Sequence, residues 1–203
     1  MDEIEIIKNI RMAAKADYEY FSNENKPARE RWVVSLFLSL IKIEYQDQEL
    51  VSPEQSSKAD VLFRDARFQV KELTDPDMLR GKMYKDEYRS VRYAKTLEKI
   101  SLVSGLCNVP PVSRMYDLIL ELLDELELKK KYQATKGELD LLIYVTRTRA
   151  ALIQPDEASR NELSRFGWRS VICVNEKQAV VLHASSAAPE FIGNVSRIVM
   201  SSS

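Results

Sequence analysis

Glycine is scarce in this chain, with five among 203 residues. The sequence holds no G-x-G-x-x-G, P-loop or G-x-S-x-G string, and so few glycines leave little for backbone loops that cradle phosphates. A nucleotide cofactor is therefore not expected. Histidine occurs once, at His183, which excludes a His-pair metal site and most His-based acid–base schemes. Far from any cysteine on a predicted strand, it reads as a packing or surface residue. Two cysteines, Cys107 and Cys173, stand apart with no CxxC spacing, which excludes a disulfide framework and a zinc site. No apolar run approaches the roughly 18 residues that span a bilayer, and Met1-Asp2-Glu3-Ile4-Glu5 lacks the basic start of a signal peptide. No membrane partner is expected, and the expected location is the cytoplasm. Neither sign of charge dominates: 30 Lys and Arg face 31 Asp and Glu, for a net −1. A nucleic-acid role must then come from a local basic face.

What is present is enough apolar residue, 45% of the chain, for one sizeable core and a single domain over 1–203. Helical spacing of Ile4, Ile7, Ile10, Ala14 and Tyr18 predicts an N-terminal helix, and with the polar loop after it this segment occupies 1–26. Pro27 suits the first turn of a second helix, about 28–43, rich in Trp32, Val33, Leu36, Phe37 and Leu40. The period then changes. Glu49-Leu50-Val51, Asp60–Phe63 and Arg67–Leu73 read as strands, the last two joined by a tight turn at Arg64-Asp65-Ala66. Long helices are predicted over about 77–101 and 113–132, and an apolar run from Glu138 to Val145 suits a strand buried on both faces. A short helix from Pro155 to about Phe166 precedes two strands, Trp168–Val174 and Gln178–His183. The Ala- and Ser-rich tail, 184–203, is expected to be mobile.

The chemistry-bearing candidate is the hairpin. Asp60 is followed by eight residues and then Gln69-Val70-Lys71. Alternate side chains of a strand share a face, so Gln69 and Lys71 leave an otherwise apolar strand on one side. The alternative reading makes Lys71 a solvent-facing strand-end residue and Asp60 a turn carboxylate. The helix that follows carries Lys85, Arg89 and Arg92 at i, i+4 and i+7, interleaved with Tyr84, Tyr88 and Tyr93. Such a face tracks phosphates, and its tyrosines, Tyr88 among them, stack on bases when single strands are bound; the plainer reading is a solvated face whose tyrosines half-cover the core. Arg147 is read as one end of an ion pair, and Lys129-Lys130-Lys131 as cations completing a helix C-terminus.

The D-x8-QxK spacing and its order of helix, strand and hairpin resemble the PD-(D/E)xK nuclease superfamily. The segment from about 27 to 73, with the overall length, is similar to a small bacterial family of unknown function that carries an endonuclease label. The resemblance implies an α/β, restriction-endonuclease-like domain with a mixed central sheet flanked by helices. It also implies a Mg²⁺-dependent DNA endonuclease in which Asp60 and a helix carboxylate, Glu30 or in its place Glu44, hold the metal. Gln69 stands where that family places an acid, and Lys71 matches the lysine that steadies the attacking water. A neutral ligand at 69 removes a negative charge from the metal site. The second reading is a catalytically inactive domain of the same fold that binds nucleic acid or a protein. Cutting both strands of DNA requires two sites, which a homodimer supplies.

Overall fold

The first helix, α1 (Glu3–Tyr20), opens where Asp2 accepts a hydrogen bond from the Glu5 N–H at 2.8 Å, with Glu3 and Glu5 in the turn that favours negative charge. The computed structural model describes residues 2–54, 56–74, 80–100, 114–146, 157–195 and 198–201. They fall into two compact units, one formed by 1–29 with 74–108 and the other by 30–73 with 109–203.

The first unit is helical. In it α1 buries Ile7 and Ala14 and packs with α3 (Arg80–Arg92). Tyr18 stacks on Tyr88 with ring centroids 5.3 Å apart, and Phe21 on Tyr84 at 4.4 Å. Arg11 of α1 donates to the Ala94 carbonyl at 3.0 Å and to the Val91 carbonyl at 3.4 Å, so a cation from a neighbouring helix sits at the C-terminal end of α3. The helix expected to reach residue 101 stops at Arg92, and a short turn, Leu97–Lys99, follows it.

Helix α2 (Lys26–Leu40) crosses the boundary between the units at Glu30. Pro27 sits in its first turn, where a missing N–H costs nothing, and Lys42, at φ 60°, turns the chain away after it. Where Glu49-Leu50-Val51 was expected to be a strand, a turn at Asp47–Glu49 is followed by a single bridge, Val51 to Leu62. The Glu49 carboxylate accepts from the Gln46 N–H at 2.8 Å, which favours the turn, and Pro53 nearby has no N–H to extend a ladder.

The second unit is a mixed α/β domain built on a six-stranded sheet in the order β1-β2-β3-β4-β5-β6. The strands are β1 (Val61–Phe63), β2 (Ala66–Leu73), β3 (Asp140–Val145), β4 (Ser170–Val174), β5 (Gln178–Ala184) and β6 (Val199–Met200). The central pairs, β2 with β3 and β3 with β4, are parallel, and the outer ones antiparallel. Every residue of β3 is buried, as a strand covered on both faces requires. On one face α2 lays Val34, Phe37 and Leu38 over Val61, Phe68, Leu142 and Ile172. On the other, α4 (Met115–Glu127) packs Leu118, Leu123 and Leu126 with Leu141, Ile143, Cys173 and Trp168. Helix α5 (Glu157–Ser164) precedes β4.

The tail departs from expectation. The short helix α6 (Glu190–Gly193) buries Ile192 completely, Phe191 meets Phe63 with ring centroids 5.7 Å apart, and Ala179 of β5 pairs with Val199. Phe191, Ile192 and Val195 pack with the core on the α2 side, while Met200 is exposed.

Candidate functional site

The site rests on a mismatch of strand length. The ladder of β1 with β2 runs Val61 to Phe68, and the Asp60 N–H continues it, donating to the Phe68 carbonyl at 2.7 Å. The peptide groups of Val70 face the same side, two residues further along β2, beyond the end of β1. Side chains take the place of the missing strand. The Asp60 carboxylate accepts from the Val70 N–H at 2.9 Å, and the Lys71 ammonium donates to the Val70 carbonyl, also at 2.9 Å.

The pleat sets the faces. Phe68 and Val70 turn to the α2 side, and Leu73 turns to the α4 side, so Asp60, Gln69 and Lys71 share the α4 face. Gln69 is buried, and its amide NH₂ donates to the Asp60 carboxylate. Lys71 is half-buried, with its ammonium 5.8 Å from the centre of the buried Tyr132 ring. The structure thus brings Asp60, Gln69 and Lys71 onto one patch of one face.

The helix carboxylates lie on other elements. Glu30 is buried on α2 one turn before Val33 and Val34, which pack on the opposite face of the sheet from Gln69. Glu44 is exposed, and its carbonyl accepts from Arg64 at 2.9 Å, at the turn end of the hairpin. Arg64 lies four residues beyond Asp60, roughly 13 Å along an extended strand. Among the described residues no group of three or more His, Cys, Asp or Glu is placed to hold a metal ion. Asp60 contributes one negative charge, and the atom that Gln69 turns toward it is the amide nitrogen. Rotating the amide by half a turn would present its oxygen, and the site would still hold a single charge at this point. The described residues do not fit a preformed Mg²⁺ site.

On α3, in the helical unit, Lys85, Arg89 and Arg92 are exposed. Tyr88 is half-buried, with one face stacked on Tyr18. Lys131 lies 4.5 Å over the Tyr132 ring. Burial lowers the pKa of His183, partly opposed by its hydrogen bond to the Trp168 backbone. It raises that of the Cys173 thiol, which is unreactive in its apolar surroundings. Arg147 and Cys107 lie outside the described residues.

One polar cluster escaped the reading of the sequence. Asp140, fully buried at the start of β3, accepts from the Arg67 N–H at 3.0 Å, from Arg169 Nε at 3.0 Å, from Arg169 Nη2 and from the Ser170 hydroxyl at 2.8 Å. The signal was available: an acid opening an all-apolar strand has to be paired.

The family described as "Putative endonuclease, protein of unknown function (DUF1780)" matches residues 2–202. The chain belongs to that family. A solved structure from Pseudomonas aeruginosa strain PAO1, described as a protein of unknown function of the monooxygenase superfamily, is 26% identical. It covers 100% of this chain and 97% of its own, with a TM-score of 0.64. No curated protein matches the sequence. No helix among the described residues is long and apolar enough to cross a membrane.

Proposed function

We propose that this member of an endonuclease family is a DNA-binding domain of the PD-(D/E)xK, restriction-endonuclease-like type whose hairpin is not a preassembled magnesium site. DNA binding is the retained activity, and phosphodiester hydrolysis is slow. The observation that carries the reading is the hydrogen bond from the Gln69 amide to the Asp60 carboxylate, at the two positions where that type of nuclease places its acids. A pair of acids there would repel each other and draw in a cation; an amide and an acid satisfy each other without one. Lys71 keeps its ammonium on the same face, within reach of a phosphate oxygen once it leaves the Val70 carbonyl. The protein would act in the cytoplasm, and nicking of one strand needs a single copy, whereas cutting both needs two.

A monooxygenase reading gains less from the residues. One histidine is too few for the two-His, one-carboxylate iron centre of non-haem oxygenases, and no dinucleotide-binding glycine motif is present to seat a flavin.

Plasmid nicking with Mg²⁺ or Mn²⁺ tests the proposal, with wild type beside Asp60→Ala, Lys71→Ala and Gln69→Glu. Wild type should bind plasmid and nick it slowly, and Gln69→Glu should nick faster in a manner that Asp60→Ala abolishes. Rapid nicking by wild type, lost with Asp60→Ala and Lys71→Ala, would show a complete catalytic site and overturn the reading. A wild-type chain that binds no DNA would overturn it as well.

A further inference from the structure

The helical unit carries a second, separate feature. Between residues 80 and 99 the chain holds seven Lys or Arg against three Asp or Glu, an excess of four positive charges in a protein whose net charge is −1. Four of these cations, Lys82, Lys85, Arg89 and Arg92, are exposed and recur at i, i+3, i+7 and i+10. That spacing keeps them in one stripe along α3, roughly 15 Å long at the rise of an α-helix.

A cationic stripe ending at a helix C-terminus has a plain explanation, compensation of the helix dipole. Here that task is already met by Arg11, which reaches across from α1 to the Val91 and Ala94 carbonyls. Arg92 instead lies over aromatic rings, 6.0 Å from Tyr88 and 5.1 Å from Tyr93. The three tyrosines of the segment then separate by role. Tyr84 and Tyr88 are half-buried and stacked on Phe21 and Tyr18, while Tyr93, just past the end of α3, is 76% exposed. A large exposed ring beside a row of cations is an arrangement that gains from a planar, anionic, flexible partner.

We infer that the α3 stripe and Tyr93 form a binding surface for single-stranded nucleic acid. Lys82, Lys85, Arg89 and Arg92 lie along the phosphates, and Tyr93 stacks on an unpaired base with the Arg92 guanidinium beside the pair. A duplex keeps its bases stacked inside the helix, so it can use the cations but not the tyrosine. The inference rests on the reading that the protein binds DNA and adds which form of the polymer it takes and through which residues.

Fluorescence anisotropy of the full chain in EDTA, with a labelled 15-nucleotide strand and with its duplex, tests this without involving hydrolysis. The single strand should bind more tightly. Tyr93→Ala should weaken single-strand binding by about 5- to 150-fold and leave duplex binding nearly unchanged. The triple variant Lys85→Ala, Arg89→Ala, Arg92→Ala should weaken both and reduce the slope of log K against log salt by about 2 on the single strand. Lys177→Ala, which removes an exposed lysine from the β4–β5 turn, should change neither. Equal binding of strand and duplex, or an unaltered single-strand affinity for Tyr93→Ala, would overturn the inference while leaving DNA binding itself intact. Binding of neither polymer would overturn both.

Discussion

Near each end of the β1–β2 hairpin an aspartate accepts from a backbone N–H of β2, Asp60 from Val70 and Asp140 of β3 from Arg67, and the surroundings make them different groups. At the turn end, Asp140 is completely buried and receives the Arg67 N–H, the Ser170 hydroxyl and two nitrogens of Arg169. Arg169 also donates to the Asp65 carbonyl at 3.1 Å, so one ion pair ties the turn, β2, β3 and β4 together. At the other end, Asp60 is half-buried and accepts from the Val70 N–H and the neutral Gln69 amide. A carboxylate met by a guanidinium inside the protein is fixed in place. One that accepts from a backbone N–H and a neutral amide at a half-buried strand end is held by weaker bonds. Two acids with similar backbone roles thus divide into a clamp and a candidate site.

Asp140→Asn attacks the clamp and carries the largest expected effect. The shape is kept while the charge opposite a guanidinium only 12% exposed is removed, and leaving one partner of a buried pair costs about 3–5 kcal/mol. Urea unfolding followed by circular dichroism should show the midpoint falling accordingly. Asp60→Ala attacks the other end. It removes the acceptor for the Val70 N–H and the Gln69 amide, a loss of about 1–3 kcal/mol where a buried donor goes unmet. If Asp60→Ala proves as damaging as Asp140→Asn, the contrast between the two ends fails.

Gln69→Glu sharpens the comparison. It replaces an amide donor with a second carboxylate facing Asp60, so the variant should be less stable than wild type near neutral pH without divalent cations and should recover on adding Mg²⁺ or Mn²⁺. Wild type, with its amide and acid already matched, should show little response to the same ions in a thermal melt. A wild-type transition that rises as much as the variant's would mean that the native hairpin already forms a metal site.

Much of this arrangement was legible beforehand. The apolar run from Glu138 to Val145 suits a strand covered on both sides, and the strand that forms, Asp140–Val145, is buried throughout. The D-x8-QxK spacing placed Asp60 beside Gln69 because strand periodicity and a tight turn leave little choice of register, and the pairing of Val61 with Phe68 realises it. Long-range choices were not legible. Nothing near Asp140 in the sequence points to Arg169, 29 residues later, and the burial of Glu30 depends on how α2 packs on the rest of its unit. The stacking of Tyr88 on Tyr18 likewise depends on two helices that α2 and the whole β1–β2 hairpin separate in sequence. Local periodicity shows which side of an element is apolar; it does not show what that side meets.

The smallest expected effect belongs to Lys71→Met, which tests how the open end of the hairpin is held. The substitution keeps an unbranched apolar stem against Tyr132 and removes only the ammonium that donates to the Val70 carbonyl. That carbonyl lies on the side where β1 has ended and water can replace the donor, so the stability change should be about 1 kcal/mol or less. DNA affinity should respond more clearly, because taking one ammonium away from a phosphate lowers the salt slope by about 1. If Lys71→Met instead unfolds the domain as Asp140→Asn does, the ammonium is a clamp like Arg169 and the open end of the hairpin is structural throughout.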